Sequence, residues 1–460
     1  MSADHELRDA VVVGAGISGL AAAWWLRQAG KLVTVLESSD RVGGAITTFR
    51  DGEWLFELGP STVLENNPAI GELIASAGLA EHRIGARPVA KRRFLWKDER
   101  LVALPSGPLS ALTTPLLSAR GKLRVLKEPW IPQRTDPTDE SIADFVRRRL
   151  GGEMLDYAVG PFVSGVYAGD PERLAVRWAT AKIHALEAEH GGLIRGAVAR
   201  RKGPAPGGGM FSFRDGLCAL PARLADGIGD VRMGVEARRI VRSGSRLAVE
   251  TAAGTIEAPQ VILAVPADVA ARLLDEASGG ASRVLGEIPY APVVVVALGY
   301  ARDRIAHPLG GFGFLGPRRE SLRMLGCLWH SEIFPGRAPD GHVALTAVVG
   351  GRTDEEITTW DDARLLDHVR QELGRAIGAQ GEPAFVRVQR WRRAIPQYEI
   401  GHGRFVEAAA ALERALPGLH VAGNLLRGVS VADCIKNATA LAREIEPEGA
   451  TAAPSATAAR

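Results

Sequence analysis

The chain has 460 residues, 46% of them apolar, enough to bury a large core and to make more than one domain or one domain with large insertions. A formal net charge of +3 gives no argument for nucleic-acid binding. The longest apolar run, APVVVVALGY, is well short of the roughly 18 to 20 residues a membrane-spanning helix needs, and MSADHELRDA lacks the flank and apolar stretch of a secretory signal, so any membrane contact is expected to be peripheral.

The first elements in chain order are a strand in DAVVVG, a helix in SGLAAAWWLRQAG closed by Gly30 as its C-cap, and a second strand in KLVTVLE. Between strand and helix, Gly14, Gly16 and Gly19 fit GxGxxG. Gly14 permits the tight turn, Gly16 lets backbone N–H groups approach a pyrophosphate, and Gly19 lets helix and strand pack closely. Ile17 and Ser18 open the helix, whose N-terminus lends partial positive charge to phosphates. Glu37, with Ser38 beside it, ends the second strand where an acid would accept hydrogen bonds from an adenosine ribose and repel a 2′-phosphate. Such a turn holds ADP, which NAD and FAD share. The next segments are SSDRVGGAITTF, with Arg41, Gly43 and Gly44, and ELGPS, with Gly59, Pro60 and Ser61. Alone, an arginine beside a glycine pair reads as a turn. Here the chain resembles the flavin amine oxidase superfamily, whose members carry RxGG at this place and pass beneath the flavin at a segment like ELGP.

From about residue 91 to 205 the pattern turns helical. SIADFVRRRLGG puts Ile142, Phe145, Val146 and Leu150 on one face and stops at a glycine pair. LPSGPLSALTTPLLSARGKLRVL intersperses apolar residues with Arg120, Lys122 and Arg124, as a segment lying against lipid headgroups would. From 206 a helix with a loop ahead of it, in MFSFRDGLCALPARLADGIG, precedes strands in VRMGVEARRIVRSG, RLAVETAAG, TIEA and VILAVP. From about 286 to 397 strand signals dominate: APVVVVALGY, GGFGFLGP, HVALTAVVGG and FVRVQRWRRAIPQY. Near the end, LHVAG leads into GNLLRGVSVADCIKNATALAREIE, where Gly423, Asn424 and Gly428, followed by Val429 and Val431, introduce another helix. A second glycine-led helix N-terminus suits a cofactor longer than its ADP half, and FAD fits. No cysteine or histidine adjoins that loop, so the FAD is expected to be non-covalent. Three scattered cysteines, Cys218, Cys327 and Cys434, argue against disulfides and zinc, and for a cytoplasmic compartment.

The expected architecture is α/β with α+β elements. A Rossmann-like FAD-binding domain is built from 1–90, 206–285 and 398–446. A helical membrane-associated domain at 91–205 and a β-sheet substrate-binding domain at 286–397 are inserted in it, and 447–460 is a disordered tail.

Further segments, in order, are GVYAGD (Gly165 to Asp170), GFGFL (Gly311 to Leu315), FPGR (Phe334 to Arg337), IPQY followed by Gly401 and His402, and GVSVADCI (Gly428 to Ile435). Together they resemble one branch of the superfamily, the oxygen-dependent protoporphyrinogen oxidases, from about residue 9 to 446. The resemblance implies haem biosynthesis: six electrons leave a porphyrinogen in three rounds through FAD, and molecular oxygen becomes hydrogen peroxide. It implies a peripheral seat on the cytoplasmic face of the inner membrane, hand-over of product to ferrochelatase, and a homodimer. By the same resemblance, Ala237 and Ile240 match a position whose backbone meets the adenine. Phe162, Gly165, Phe312, Gly313, Leu315 and Val348 line the apolar substrate pocket, and Arg93 in AKRRFLW faces a propionate. Val348 departs from a methionine found in some relatives. PYAPVVVVALGY has no lysine where amine oxidases of the superfamily carry one, which counts against amine oxidation, and no catalytic base is assigned. Coproporphyrinogen III oxidation to coproporphyrin III stays open as an alternative, as does a flavin amine oxidase.

Overall fold

The computed structural model describes residues 5–200 and 208–446; the expected tail at 447–460 lies outside them. Val11 to Val13 have no polar neighbour to alternate with, the pattern of a strand buried on both faces of a parallel sheet. Ala10–Val13 is accordingly the middle strand of five, flanked by Val33–Leu36 and Gln260–Leu263. Val231–Arg232 lies outside the former and Leu419–Val421 outside the latter, and every pairing is parallel. The beginning, middle and end of the chain thus build one α/β sheet. Helices Ile17–Gln28 and Val431–Ile445 share a core on one face. Gly30, at φ +82°, follows Ala29 and donates its N–H to the Arg27 carbonyl, closing the first helix as expected. The other face meets a four-stranded sheet that includes Ala237–Ser243.

Met210–Phe213, expected as a loop, is a strand between Val63–Leu64 and Arg83–Gly85. Its phenylalanines alternate with Ser212, but all three side chains are buried, so the polar face that would mark a strand is missing.

A seven-stranded sheet runs in the order Phe385–Pro396, Tyr290–Ala301, His342–Gly350, Gly326–Trp329, Gly313–Leu315, Phe94–Lys97 and Arg100–Ala103. The last two strands correct the reading of the chain from 91 onward as helical. They form a hairpin whose turn residues, Asp98 at φ 49° and Glu99 at φ 56°, adopt the left-handed conformation without a glycine or asparagine to signal it. The β-rich stretch also contains a helix, Asp362–Ile377, started by the Asp361 carboxylate accepting from the Arg364 N–H at 2.9 Å. Its Leu365, Val369, Leu373 and Ile377 cover one face of the sheet, against Val294, Val296, Leu298 and Phe314.

Directly paired residues project to the same face of a sheet. Leu95 pairs with Leu315, Leu315 with Gly326, Gly326 with Val348, and Val348 with Val295. This row is the face opposite the helix.

Helix Ile142–Arg149 buries Ile142, Phe145 and Val146, as its spacing requires. It also buries Arg149 completely, which the spacing does not announce. Glu128, equally buried, pairs with the guanidinium, and the Ile131 and Gly191 carbonyls take further donors at 2.9 and 3.1 Å. Among the described residues no helix is long and apolar enough to cross a membrane.

Candidate cofactor cleft and substrate face

At the amino-terminal turn each glycine has a different reason. A Cβ on Gly14, which sits at φ +103°, would lie 2.4 Å from the Ala264 carbonyl oxygen, and one on Gly19 would lie 2.0 Å from the Gly14 oxygen. Gly16 has nothing within 4 Å of that position. The first two are demanded by packing, and the third leaves open space where the helix presents N–H groups with no intrahelical acceptor. No side chain caps this helix at Gly16. Ile17 and Ser18 are both buried in its first turn.

Glu37 reaches the turn. Its carboxylate accepts the Ala15 N–H at 2.8 Å and the Ser39 N–H at 2.9 Å, while Ser38 is exposed beside it. Val235 donates its N–H to the Glu37 carbonyl at 2.9 Å, which brings the segment leading to buried Ala237 alongside. RVGG lies directly on the glycine turn: Gly43 donates to the Ala15 carbonyl at 2.8 Å, and a Cβ on Gly44 would be 3.3 Å from the Gly16 Cα. Arg41 folds back on its own loop, donating to the Gly44 and Ile46 carbonyls at 2.7 and 3.2 Å.

The carboxy-terminal loop meets this site through the paired helices. Cys434 is buried beside Ser18, in one core with Ile17 and Leu20, and burial pushes its thiol up to about 11. Ser430 caps the second helix, accepting the Asp433 N–H at 3.1 Å, with Val429 before it and buried Val431 after it. Gly423 and Gly428 adopt φ +97° and +71°. Among the described residues the N–H groups from Gly423 to Ser430 find no acceptor in the protein. Open space at Gly16 and a row of unpaired N–H groups at Gly423–Ser430, joined by the Ser18–Cys434 contact, fit a long anionic dinucleotide such as FAD.

Between the loops runs Leu58-Gly59-Pro60-Ser61. Gly59 is pressed onto the Ala45 carbonyl, 2.0 Å from where a Cβ would be. Trp391 of the seven-stranded sheet donates its Nε1–H to the Leu58 carbonyl at 2.7 Å, a tie between the two halves of the molecule that sequence reasoning misses. The only sequence signal is a tryptophan four residues ahead of IPQY. Glu57, also missed, is buried and accepts the Thr48 hydroxyl at 2.7 Å and the Leu217 N–H at 2.8 Å; burial pushes its carboxyl up to about 7. Arg337 of FPGR is buried nearby, donating to Ser212 Oγ and the Phe213 carbonyl at 2.9 and 3.0 Å.

The expected substrate residues fall into groups. Gly165, on helix Gly160–Tyr167, abuts Leu315: a Cβ there would be 2.5 Å from Leu315 Cδ2. Leu315 and Val348 belong to the lateral row, and Val348 packs with Val293, Val295 and Trp391. Phe312 instead joins Ile333, Phe334 and Ala90. Arg93 is exposed, with its guanidinium carbon 5.1 Å from the Phe312 ring centroid and no acidic partner among the described residues. Phe162 is exposed and lies one turn before Gly165 on the same side of that helix. Gly313 is required by strand pairing, since a Cβ would be 2.1 Å from the Cys327 oxygen. Gly165 is exposed on its helix, and the contact it makes is with the Leu315 side chain, whereas Gly313 is buried in the sheet.

Parallel sheet, glycine turn and second glycine loop together define a dinucleotide-binding flavoprotein fold. The chain matches the family described as flavin containing amine oxidoreductase over residues 17–446. It is 34% identical to a chloroplastic protoporphyrinogen oxidase of Oryza sativa subsp. japonica over 95% of this chain and 88% of that protein. It is 30% identical to coproporphyrinogen III oxidase of Bacillus subtilis, over 92% and 95%. The crystal structure of a protein from Exiguobacterium sp. 255-15, proposed to be a protoporphyrinogen oxidase, superimposes with a TM-score of 0.82 at 25% identity, covering 97% of this chain and 99% of that one. The chain belongs to the flavin containing amine oxidoreductase family and is an FAD-dependent oxidoreductase.

Proposed function

We propose that this protein oxidises protoporphyrinogen IX to protoporphyrin IX. Each of three steps removes two electrons and two protons from the macrocycle and converts one dioxygen to hydrogen peroxide. FAD, held non-covalently, supplies the two-electron acceptor between them. The observation that carries this reading is the apolar sheet face on which Leu315 and Val348 stay partly open between buried Leu95 and Val295, abutted by the Gly165 helix and tied by Trp391 to the ELGP segment. A broad apolar disc needs such a wall, and its propionates need a cation that is not already paired. Arg93, whose guanidinium can donate two parallel hydrogen bonds to a carboxylate, supplies that cation. The chain's own contribution is shape, exclusion of water and this one charge; the strand Tyr290–Ala301 has no lysine to act on a substrate proton.

The likeness to a coproporphyrinogen III oxidase favours a second reading, oxidation of the four-propionate substrate to coproporphyrin III. Porphyrin fluorescence with each porphyrinogen in turn separates the two, and inactivity toward both refutes both. Arg93→Ala is expected to raise KM about ten- to hundredfold, the loss of a charge-assisted contact of ~1.5 to 3 kcal/mol, with kcat little changed. Arg92→Ala is the control. Equal kinetics in the two variants would remove Arg93 from the substrate site.

The peripheral membrane contact also belongs to this proposal. Leu109 and Trp130 are 77% and 78% exposed, and Leu112, Leu123 and Leu126 are more than half exposed. Arg120 and Lys122 stand among them, and apolar and basic residues together suit an anionic bilayer surface. Arg124, expected with them, is engaged elsewhere: it donates to the Arg149 carbonyl at 3.1 Å, capping helix Ile142–Arg149. Flotation with anionic liposomes is expected to carry the protein, and Arg120→Glu with Lys122→Glu to release it. Failure of the unaltered protein to float refutes the contact.

A further inference from the structure

The IPQY segment and the histidine that follows it are absorbed by neither the cofactor contacts nor the substrate face, yet both reach the carboxy-terminal glycine loop. The Tyr398 hydroxyl donates to the Asn424 carbonyl, and His402 Nε2 donates to the Leu426 carbonyl at 3.0 Å. From the following helix, Asn437 Nδ2 donates to the Arg427 carbonyl at 3.2 Å. Three donors from separate places thus take three carbonyls of one short loop.

A trans peptide sets its N–H opposite its C=O. Capping the carbonyls of Asn424, Leu426 and Arg427 therefore turns the N–H groups of Leu425, Arg427 and Gly428 away from Tyr398, His402 and Asn437. Those N–H groups have no acceptor in the protein among the described residues. The side chains are themselves held. Tyr398 and His402 are both 1% exposed, and their ring centroids are 4.6 Å apart. Trp178 packs against the histidine at 5.7 Å, and Trp178 Nε1 and the Gly401 N–H share the Asp139 carboxylate at 3.2 and 3.1 Å. His402 Nδ1 has no partner among the described residues, so the ring is neutral with its proton on Nε2, where the Leu426 carbonyl requires it.

We propose that Tyr398, His402 and Asn437 are positioning residues for the cofactor: by holding three carbonyls they fix the loop with its N–H groups facing the flavin end of FAD. The proposal rests on reading Gly423–Ser430 as the second FAD contact. Removing one donor lets its peptide rotate and should weaken FAD by about tenfold, the equivalent of one hydrogen bond of ~1.4 kcal/mol. The test strips the flavin from the protein and titrates FAD back into Tyr398→Phe, His402→Leu, His402→Gln and Asn437→Ala. Asp361→Ala is the comparison, since it loses a helix cap of similar cost on the helix that covers the seven-stranded sheet, in a core that includes no residue of the loop. Expected are an FAD dissociation constant raised about tenfold in Tyr398→Phe, His402→Leu and Asn437→Ala, a shifted visible flavin spectrum, recovery in His402→Gln, which keeps a side-chain N–H donor, and no change in Asp361→Ala. Unchanged FAD affinity in Tyr398→Phe and Asn437→Ala overturns the proposal, even where His402→Leu fails to fold. Failure of the unaltered apoprotein to take up FAD instead overturns the reading of the loop itself.

Discussion

In the amino-terminal turn, shape is enforced by crowding: Gly14, Gly19, Gly43 and Gly59 each face a backbone oxygen between 2.0 and 2.8 Å from where a Cβ would sit. In the carboxy-terminal loop no backbone atom crowds either glycine; Gly423 meets only a leucine side chain at 3.8 Å, and Gly428 only the Asp433 side chain. That loop is held by hydrogen bonds from residues outside it. The comparison separates two ways of building a cofactor contact. One is set by excluded volume against neighbouring backbone, and the other by side-chain donors lent from elsewhere in the fold.

Gly19→Val attacks the first means most directly. Its branched side chain has no space against the Gly14 oxygen, and a loss of more than about 4 kcal/mol is expected, read as insoluble or unfolded protein by circular dichroism. A folded, yellow variant would show that crowding does not set the turn. Gly16→Val sharpens the same point, because nothing within 4 Å opposes it in the protein. It should keep the melting temperature of the apoprotein and lose FAD, measured as the ratio of flavin to protein absorbance; retained flavin would place the dinucleotide elsewhere. Ser430→Ala probes the second loop with the smallest effect. It removes the cap on the final helix, about 1 kcal/mol in denaturant unfolding, and should leave flavin content unchanged, since the three capped carbonyls precede it. Loss of flavin would mean that the loop depends on its helix and not on its borrowed donors.

The same contrast explains what the sequence discloses. VVVGAGISGL reveals the amino-terminal turn because Gly14 needs its own positive φ and Gly19 packs on the Gly14 oxygen a few places away, and the strands and helix around it follow from periodicity. Tyr398 and Asn437 carry no such local sign; their meaning depends on carbonyls brought near by tertiary packing. The hairpin Phe94–Ala103 hides for a different reason, since Asp98 and Glu99 take up left-handed conformations that ordinarily call for glycine or asparagine. Of the residues expected at the proposed substrate face, Leu315 lies against Gly165 and on the same sheet face as Val348, Phe162 shares the exposed side of the Gly165 helix, and Phe312 and Arg93 form a separate pair. Trp391 goes unread because its partner, the Leu58 carbonyl, belongs to the opposite half of the chain.

The five-stranded sheet also sets a timetable for synthesis. Val11 pairs with Val261, and Val261 in turn with Leu419, so the sheet is closed at one edge by the last of its five strands in chain order. Pairings so distant along the chain are slow to form and leave strand edges open meanwhile. A nascent chain that has released its glycine turn still lacks the helix whose Cys434 meets Ser18. Ribosome-bound chains ending before Leu419 are therefore expected to carry no flavin, as read by absorbance of the isolated complexes.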